Sequence, residues 1–125
     1  MDKPQQSERR LIVMTSGRPF APAVDWEIFE GRVHAAELVG ADSSQIRVYD
    51  VTFRTGARTA WHSHTVDQLL VITAGHGIVA TEEEEREVRT GDLVVIPAEL
   101  RHWHGAMDDA EMTHLAIMNE GEDVL

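Results

Sequence analysis

A series of short strand-like segments, separated by turns at intervals of roughly 8 to 12 residues, most constrains the fold of this chain. Residues 45–53 alternate polar and apolar side chains, as a strand does when one face is buried and the other is wet. Residues 69–72 and 93–96 are apolar on both faces, which predicts strands inside a sandwich or barrel wall. Because no helical period is sustained anywhere, the sequence predicts an all-β sandwich or small barrel.

Turn formers divide the strands from one another. Residues 74–77, Ala-Gly-His-Gly, predict a turn that His76 merely marks, and the glutamates 82–85 predict a solvated hairpin loop. A chain of 125 residues without a repeat or linker fits one domain.

Both ends of the chain differ from its centre. Residues 1–18 contain turn formers and no sustained period, so we expect an N-terminal arm that orders against another surface, such as a neighbouring subunit. The single domain then covers residues 19–120, and residues 121–125 form an acidic tail.

Composition narrows the classes of function. Cysteine is absent, which excludes disulfides, thiolate metal sites and a cysteine nucleophile. A formal charge of −11 repels phosphate backbones, so we expect no nucleic-acid partner. The apolar run at residues 11–14 is too short for a signal peptide, and no run approaches the roughly 18–20 residues of a membrane span. We therefore expect a cytoplasmic protein without a membrane partner.

The histidines cluster in three segments. His62 and His64 stand two residues apart, so on a strand they leave the same face, and Gln68 has the same parity. His102 and His104 repeat this spacing, and His114 lies in the last long strand. A closed β fold could gather these imidazoles around one ion. His34 lies in a separate strand, and we expect it to be a surface or subunit-contact residue.

The spacing of these residues resembles the two motifs of the cupin family. Gly56-x5-His-x-His-x3-Gln68-x6-Gly75 is similar to the first motif, in which glutamate usually stands at the position of Gln68. Gly91-x5-Pro-x4-His102 is similar to the second motif, although Glu99 replaces its usual glycine and Ala106 its final asparagine. The resemblance implies an RmlC-like double-stranded β-helix, or jelly roll.

The resemblance also implies a metal site with the ligands His62, His64, Gln68 and His102. Gln68 could instead hold a water or a substrate, because an amide is a weaker donor than a carboxylate. Nitrogen and oxygen ligands without sulfur suit a divalent transition metal, and the family favours manganese, then iron, nickel, cobalt or zinc. Without the usual glutamate, the ion would keep its full positive charge and act as a stronger Lewis acid.

A narrower group of small bacterial cupins has a similar His, His, Gln, His site, and some of its members cleave cyanohydrins. Their additional histidines correspond to His104 and His114, which the resemblance makes candidate catalytic acid/base residues with pKa values near neutrality. Both could instead only orient the ligands. Trp61, Trp103, Met112 and Met118 are candidate pocket walls.

These features favour a metal-dependent enzyme that acts on a small oxygenated molecule by Lewis-acid and histidine acid/base chemistry. The most specific form of this hypothesis is a C–C lyase. An iron- or manganese-dependent dioxygenase and a non-catalytic metal- or ligand-binding module are the alternatives. Small cupins commonly pair through a sheet edge, so we also expect a homodimer.

Overall fold

The computed structural model describes residues 9–125, so the first eight residues of the predicted arm lie outside it. Its regular structure consists of strands, with no helix among the described residues. The twelve strands found there are β1 (Ala23–Val24), β2 (Phe29–Glu30), β3 (Val33–Val39), β4 (Ile46–Phe53), β5 (Arg58–Thr59), β6 (Ser63–His64), β7 (Gln68–Thr81), β8 (Glu85–Arg89), β9 (Leu93–Ile96), β10 (His102–Ala106), β11 (Met112–Asn119) and β12 (Asp123–Val124).

The strands form two curled antiparallel layers that share one long strand. One layer has the order β1-β3-β4-β11-β7-β9, and the other contains β2, β5, β10, β7 and β8. The first half of β7 pairs with β11 and β9, and its second half pairs with β10 and β8. This arrangement confirms the predicted all-β class and the jelly-roll barrel. A separate two-stranded sheet joins β6 to β12.

The glycine-rich segment predicted as a turn is instead the middle of β7, so that prediction was wrong. Gly75 has a φ of 69°, which bends the strand from one layer into the other without ending it. A side chain at Gly75 would collide with the backbone oxygen of Glu111. The glycines therefore allow close strand contact at the bend, and His76 pairs with Arg89 as a strand residue.

The core lies between the two layers. Its largest fully buried apolar side chains are Phe53, Leu70, Ile72 and Met112, each worth about 2 kcal/mol of transfer free energy. The prediction that residues 93–96 are buried on both faces was wrong, because only the face of Val94 and Ile96 turns inward. Leu93 and Val95 are 66% and 69% exposed on the outside of the barrel.

The loop before β10 has an unusual backbone at the position where the second motif usually has glycine. Glu99 has a φ of 70°, and it is the one non-glycine residue between residues 9 and 125 with positive φ. Its N–H donates to the carbonyl of His64 at 2.8 Å, so the turn is kept although the glycine is lost. A left-handed conformation costs roughly 1–2 kcal/mol for a residue with a Cβ.

The ends of the described chain also differ from one another. Residues 9–20 contain no strand and are exposed. The acidic tail, by contrast, is ordered against the domain, because β12 pairs with β6. Within residues 9–125, no helix is long and apolar enough to cross a membrane.

We expect Glu99→Gly to stabilise the protein by about 0.5–1 kcal/mol, because relief of the left-handed strain exceeds the entropy that glycine adds to the unfolded chain. Urea unfolding measures the change. Glu82→Gly, in an exposed loop with ordinary backbone angles, is the control and should be neutral or destabilising. Equal destabilisation by both substitutions would contradict strain at Glu99.

Candidate metal centre

Three buried histidines converge where the segment before β6 meets the start of β10. His62 and His102 form an isolated antiparallel bridge, in which each N–H donates to the other's carbonyl at 2.9 and 2.8 Å. His64 lies two residues further along, on β6. Because side chains two residues apart on a strand share a face, both histidines of this segment point toward His102.

The distances within this cluster suit a shared ion. The ring centroids of His62 and His64 are 4.7 Å apart, and that of His102 lies 4.2 Å from the former and 5.2 Å from the latter. One nitrogen from each ring lies within 4.8 Å of the others. The structure thus gathers the three histidines predicted as ligands into one buried site.

Hydrogen bonds fix the tautomer of each ring. The Nδ1 of His62 lies 2.8 Å from the carbonyl of Ala60, and the Nδ1 of His102 lies 2.8 Å from that of Leu100. Because a carbonyl only accepts, both Nδ1 atoms carry the proton and both Nε2 atoms keep a lone pair. The Nδ1 of His64 contacts Asp123 Oδ1 at 2.7 Å, a hydrogen bond that lowers the pKa of the carboxyl.

Buried acceptor atoms without hydrogen-bond partners indicate whether a cation fits the histidine cluster. The Nε2 atoms of His64 and His102 and the Oε1 of Gln68 are buried and have no hydrogen-bond partner within the described chain. Burying such acceptors unpaired is costly, and a divalent cation would satisfy all of them. The donor set of imidazole nitrogen and amide oxygen therefore fits a divalent transition metal.

Burial keeps the rings of His62 and His102 neutral. It lowers the pKa of His62 and of His102 from 6.5 to about 4, and repulsion from the neighbouring imidazoles acts in the same direction. The rings are therefore unprotonated at neutral pH, which is the form that binds metal.

His104 and His114 form a second buried pair beside the cluster. The Nε2 of His114 lies 3.0 Å from the Nδ1 of His104. The pKa values of both are lowered rather than near neutrality as expected, that of His114 to about 4, because both rings are removed from water. His104 lines the same cavity as His62, His64 and Gln68, whereas His114 does not line it.

The cavity has a volume of about 650 Å³ and opens over the cluster. Of the four walls predicted from sequence, Met118 lines it, but Trp61, Trp103 and Met112 do not. Met112 is buried in the core, and Trp103 is covered by the Arg58 guanidinium at 3.9 Å. Trp61 and Trp103 are sequence neighbours of the clustered histidines, and adjacent side chains on a strand point to opposite faces.

Sequence reasoning missed the aromatic wall of the cavity. Trp26 stacks on Phe29 with ring centroids 5.7 Å apart, and Tyr49 meets Trp26 edge to face at 6.3 Å. All three line the cavity. The alternation of residues 45–53 could have placed Tyr49 on the same face as Val51, but no local pattern indicates that Trp26 packs against Tyr49.

The remaining histidines lie away from the site. His34 packs against the Phe20 ring, with its Nδ1 3.0 Å from the carbonyl of Ala21, and His76 pairs with Arg89 across the outer sheet. Neither lines the cavity.

Known proteins share this arrangement of motifs and strands. The cupin domain family matches residues 49–118, more than half of the chain. An (R)-mandelonitrile lyase from Granulicella tundricola is 43% identical over 111 residues, which span 87% of this chain and 81% of that protein. The chain belongs to the cupin family.

Other relatives place this cupin among proteins of diverse activity. A cupin-like protein from Thermotoga maritima superposes with a TM-score of 0.80 at 34% identity, and the match covers 89% of each chain. A polyketide cyclase from Streptomyces resistomycificus has a TM-score of 0.78 at 13% identity over 90% of this chain and 84% of its own, which shows the fold alone. An acireductone dioxygenase from Bacillus thuringiensis is 34% identical over 61 residues, 45% of this chain and 36% of that enzyme.

Proposed function

We propose that this cupin is a metal-dependent lyase that cleaves a cyanohydrin into an aldehyde and hydrogen cyanide. The observation that carries the proposal is the position of His104, which lines the same cavity as His62, His64 and Gln68 and is hydrogen-bonded to His114. The 43% identical relative named (R)-mandelonitrile lyase supports the same reaction class.

The proposed ligands are the Nε2 atoms of His62, His64 and His102 together with the Oε1 of Gln68. The atoms of His64, His102 and Gln68 are buried without a hydrogen-bond partner among the described residues, and His62 belongs to the same cluster, in which one nitrogen from each ring lies within 4.8 Å of the others. A divalent ion bound there would supply Lewis-acid polarisation of a hydroxyl or cyano group. Donors without sulfur suit manganese, iron, nickel, cobalt or zinc. Among these we favour manganese, because the small cupins that the chain resembles do.

His104 is the proposed catalytic base. Its Nδ1 is occupied by His114, so Nε2 is the ring nitrogen left to meet a substrate. In the tautomer of His104 that has its proton on Nδ1, this N–H donates a hydrogen bond to His114 Nε2. The Nε2 lone pair of His104 can then accept the hydroxyl proton of the cyanohydrin. The oxygen then forms the carbonyl, the C–C electron pair leaves with cyanide, and His104 returns the proton to give hydrogen cyanide.

His114 is the proposed positioning residue for this proton transfer. Its contact with His104 selects which nitrogen of that ring carries a proton, because either ring can donate the one hydrogen bond between them, according to its tautomer. Burial lowers the pKa values of both, so the pair is neutral at pH 7 and can accept the substrate proton.

The cavity favours a small substrate with an apolar or aromatic group. Its lining includes the apolar side chains of Trp26, Phe29, Val51, Ala116 and Met118. Aromatic side chains stack well on a ring substrate, so an aromatic cyanohydrin such as mandelonitrile is the first substrate to assay.

We expect the protein to bind about one Mn²⁺ per chain and to melt at a higher temperature when the metal is present. His62→Ala or His102→Ala should abolish both effects, because each removes a buried donor. Elemental analysis and thermal melts with and without added Mn²⁺ measure them. His76→Ala, outside the cluster, should behave as the wild type. Wild-type protein that binds no divalent metal would overturn the metal centre.

We expect His104→Ala to retain its metal and to lose about 10²–10⁴-fold in cyanohydrin cleavage, which is the usual worth of a general base. His114→Ala should lose less, because it acts through His104. Benzaldehyde release from mandelonitrile, followed by absorbance, measures both. Full activity of His104→Ala at full metal content would remove it from the reaction.

An iron- or manganese-dependent dioxygenase is the second candidate, and the partial identity to acireductone dioxygenase supports it. Oxygen uptake with an electron-rich substrate such as a diketone, without cyanohydrin cleavage, would favour it. A binding module without turnover is the third candidate. Metal binding without either activity would favour it.

We also propose that the protein is a cytoplasmic homodimer in which the arm, residues 1–18, covers a partner subunit. The described part of the arm exposes Leu11 and Val13, which are 94% and 78% accessible. The outer side of β9 exposes Leu93 and Val95, and within the described residues its free edge has no strand partner. Exposed apolar surfaces of this kind mark association sites.

Light scattering should give a mass of twice 14.0 kDa. Val95→Glu should convert the dimer to a monomer, because it places a charge in an apolar contact, whereas Ser44→Glu in an exposed loop should leave it dimeric. A wild-type monomer at high concentration would contradict the pairing.

A further inference from the structure

The C-terminal strand reaches the metal centre through one carboxylate. Asp123 Oδ1 lies 2.7 Å from Nδ1 of His64, while the side chain of His64 is 4% exposed and that of Asp123 is 55% exposed. A residue from the acidic tail therefore contacts the ring of a proposed ligand.

This contact differs in kind from those of the other two histidines. His62 and His102 donate their Nδ1 protons to carbonyls two residues earlier in their own segments, Ala60 and Leu100. The partner of His64 is distant in sequence and carries a negative charge. Of the three rings, His64 alone depends on the C-terminus for its orientation.

Backbone contacts hold the carboxylate in register. In the two-stranded sheet, Asp123 pairs with His64 and Val124 pairs with Ser63. Thr65 and Glu122 add two hydrogen bonds, from the Thr65 N–H to the Glu122 carbonyl at 3.0 Å and from the Glu122 N–H to Thr65 Oγ1 at 2.9 Å. Gly121 packs so closely on Thr65 that a Cβ there would lie 2.9 Å from its Oγ1.

We propose that Asp123 is a positioning residue for the metal centre: it fixes His64 with Nε2 toward the ion and supplies, through that ring, the negative charge that Gln68 does not provide. The inference rests on the metal centre proposed above. A carboxylate on the far side of a histidine ligand orients the ring and raises its basicity, and loss of such a partner costs about 10- to 100-fold in metal affinity.

The position of this charge also bears on the reaction. A carboxylate bound directly to the ion would occupy a coordination position and cancel one unit of its charge. A carboxylate behind His64 strengthens that ligand and leaves the amide oxygen of Gln68 on the ion. The centre can thus hold its metal firmly while the ion keeps its Lewis acidity.

The test compares Asp123→Ala and Asp123→Asn with the wild type and with Glu122→Gln, using titration calorimetry with Mn²⁺ alone. Glu122→Gln removes the same charge from the adjacent, exposed residue and should bind as the wild type. Asp123→Ala should bind about 10- to 100-fold more weakly. Asp123→Asn should lie between, because its amide oxygen can still accept the Nδ1 proton but carries no charge. Circular dichroism and thermal melts of the metal-free variants check that they are folded.

A second readout does not depend on metal binding. In the metal-free wild type above pH 7.5, ¹⁵N NMR should show His64 with its proton on Nδ1, and in Asp123→Ala the Nε2 tautomer should gain population. An unchanged tautomer together with unchanged Mn²⁺ affinity in Asp123→Ala would overturn the inference. A wild type that shows the Nδ1 tautomer but binds no Mn²⁺ would instead overturn the metal centre and leave only the positioning of the ring.

Discussion

The backbone bridge between His62 and His102 is the contact on which the rest of the site depends. It joins two segments that are far apart in the chain and sets both HxH pairs on one inner surface. With His62 held there, His64 follows by strand parity, and with His102 held, His104 follows in the same way. A slip of one residue in this pairing would turn one set of imidazoles out of the barrel.

Burial then determines the chemistry of these rings. Removed from water, the imidazoles of His62, His102, His104 and His114 stay neutral, because their pKa values fall below the ordinary value. Neutral rings with their Nδ1 protons bound elsewhere present lone pairs inward, as a cation requires. The same loss of solvent makes His104 and His114 a neutral pair joined by one hydrogen bond. One physical cause therefore prepares both the ligands and the proposed base.

Local sequence pattern predicted well wherever the strand period was the deciding factor. The all-β class followed from alternation such as that of residues 45–53, and the convergence of His62, His64 and His102 followed from the cupin spacing. The same reasoning failed at residues 93–96, because an apolar side chain does not tell whether its face is covered. It failed at residues 74–77 because glycine permits a bent strand as readily as a turn, and only the packing of Glu111 against Gly75 distinguishes the two.

By itself, the sequence determined the strand pattern and the identity and spacing of the candidate ligands, since side-chain direction along one strand repeats every two residues. Only the tertiary structure decided which distant groups meet: Asp123 on His64, His114 on His104, and the aromatic wall of Trp26, Phe29 and Tyr49. These contacts depend on how the layers curl and close, and hence on long-range pairing that no local period specifies. Gln68 illustrates both contributions. The sequence shows that the usual glutamate is missing at this position, and the tertiary structure places the carboxylate of Asp123 against the ring of His64.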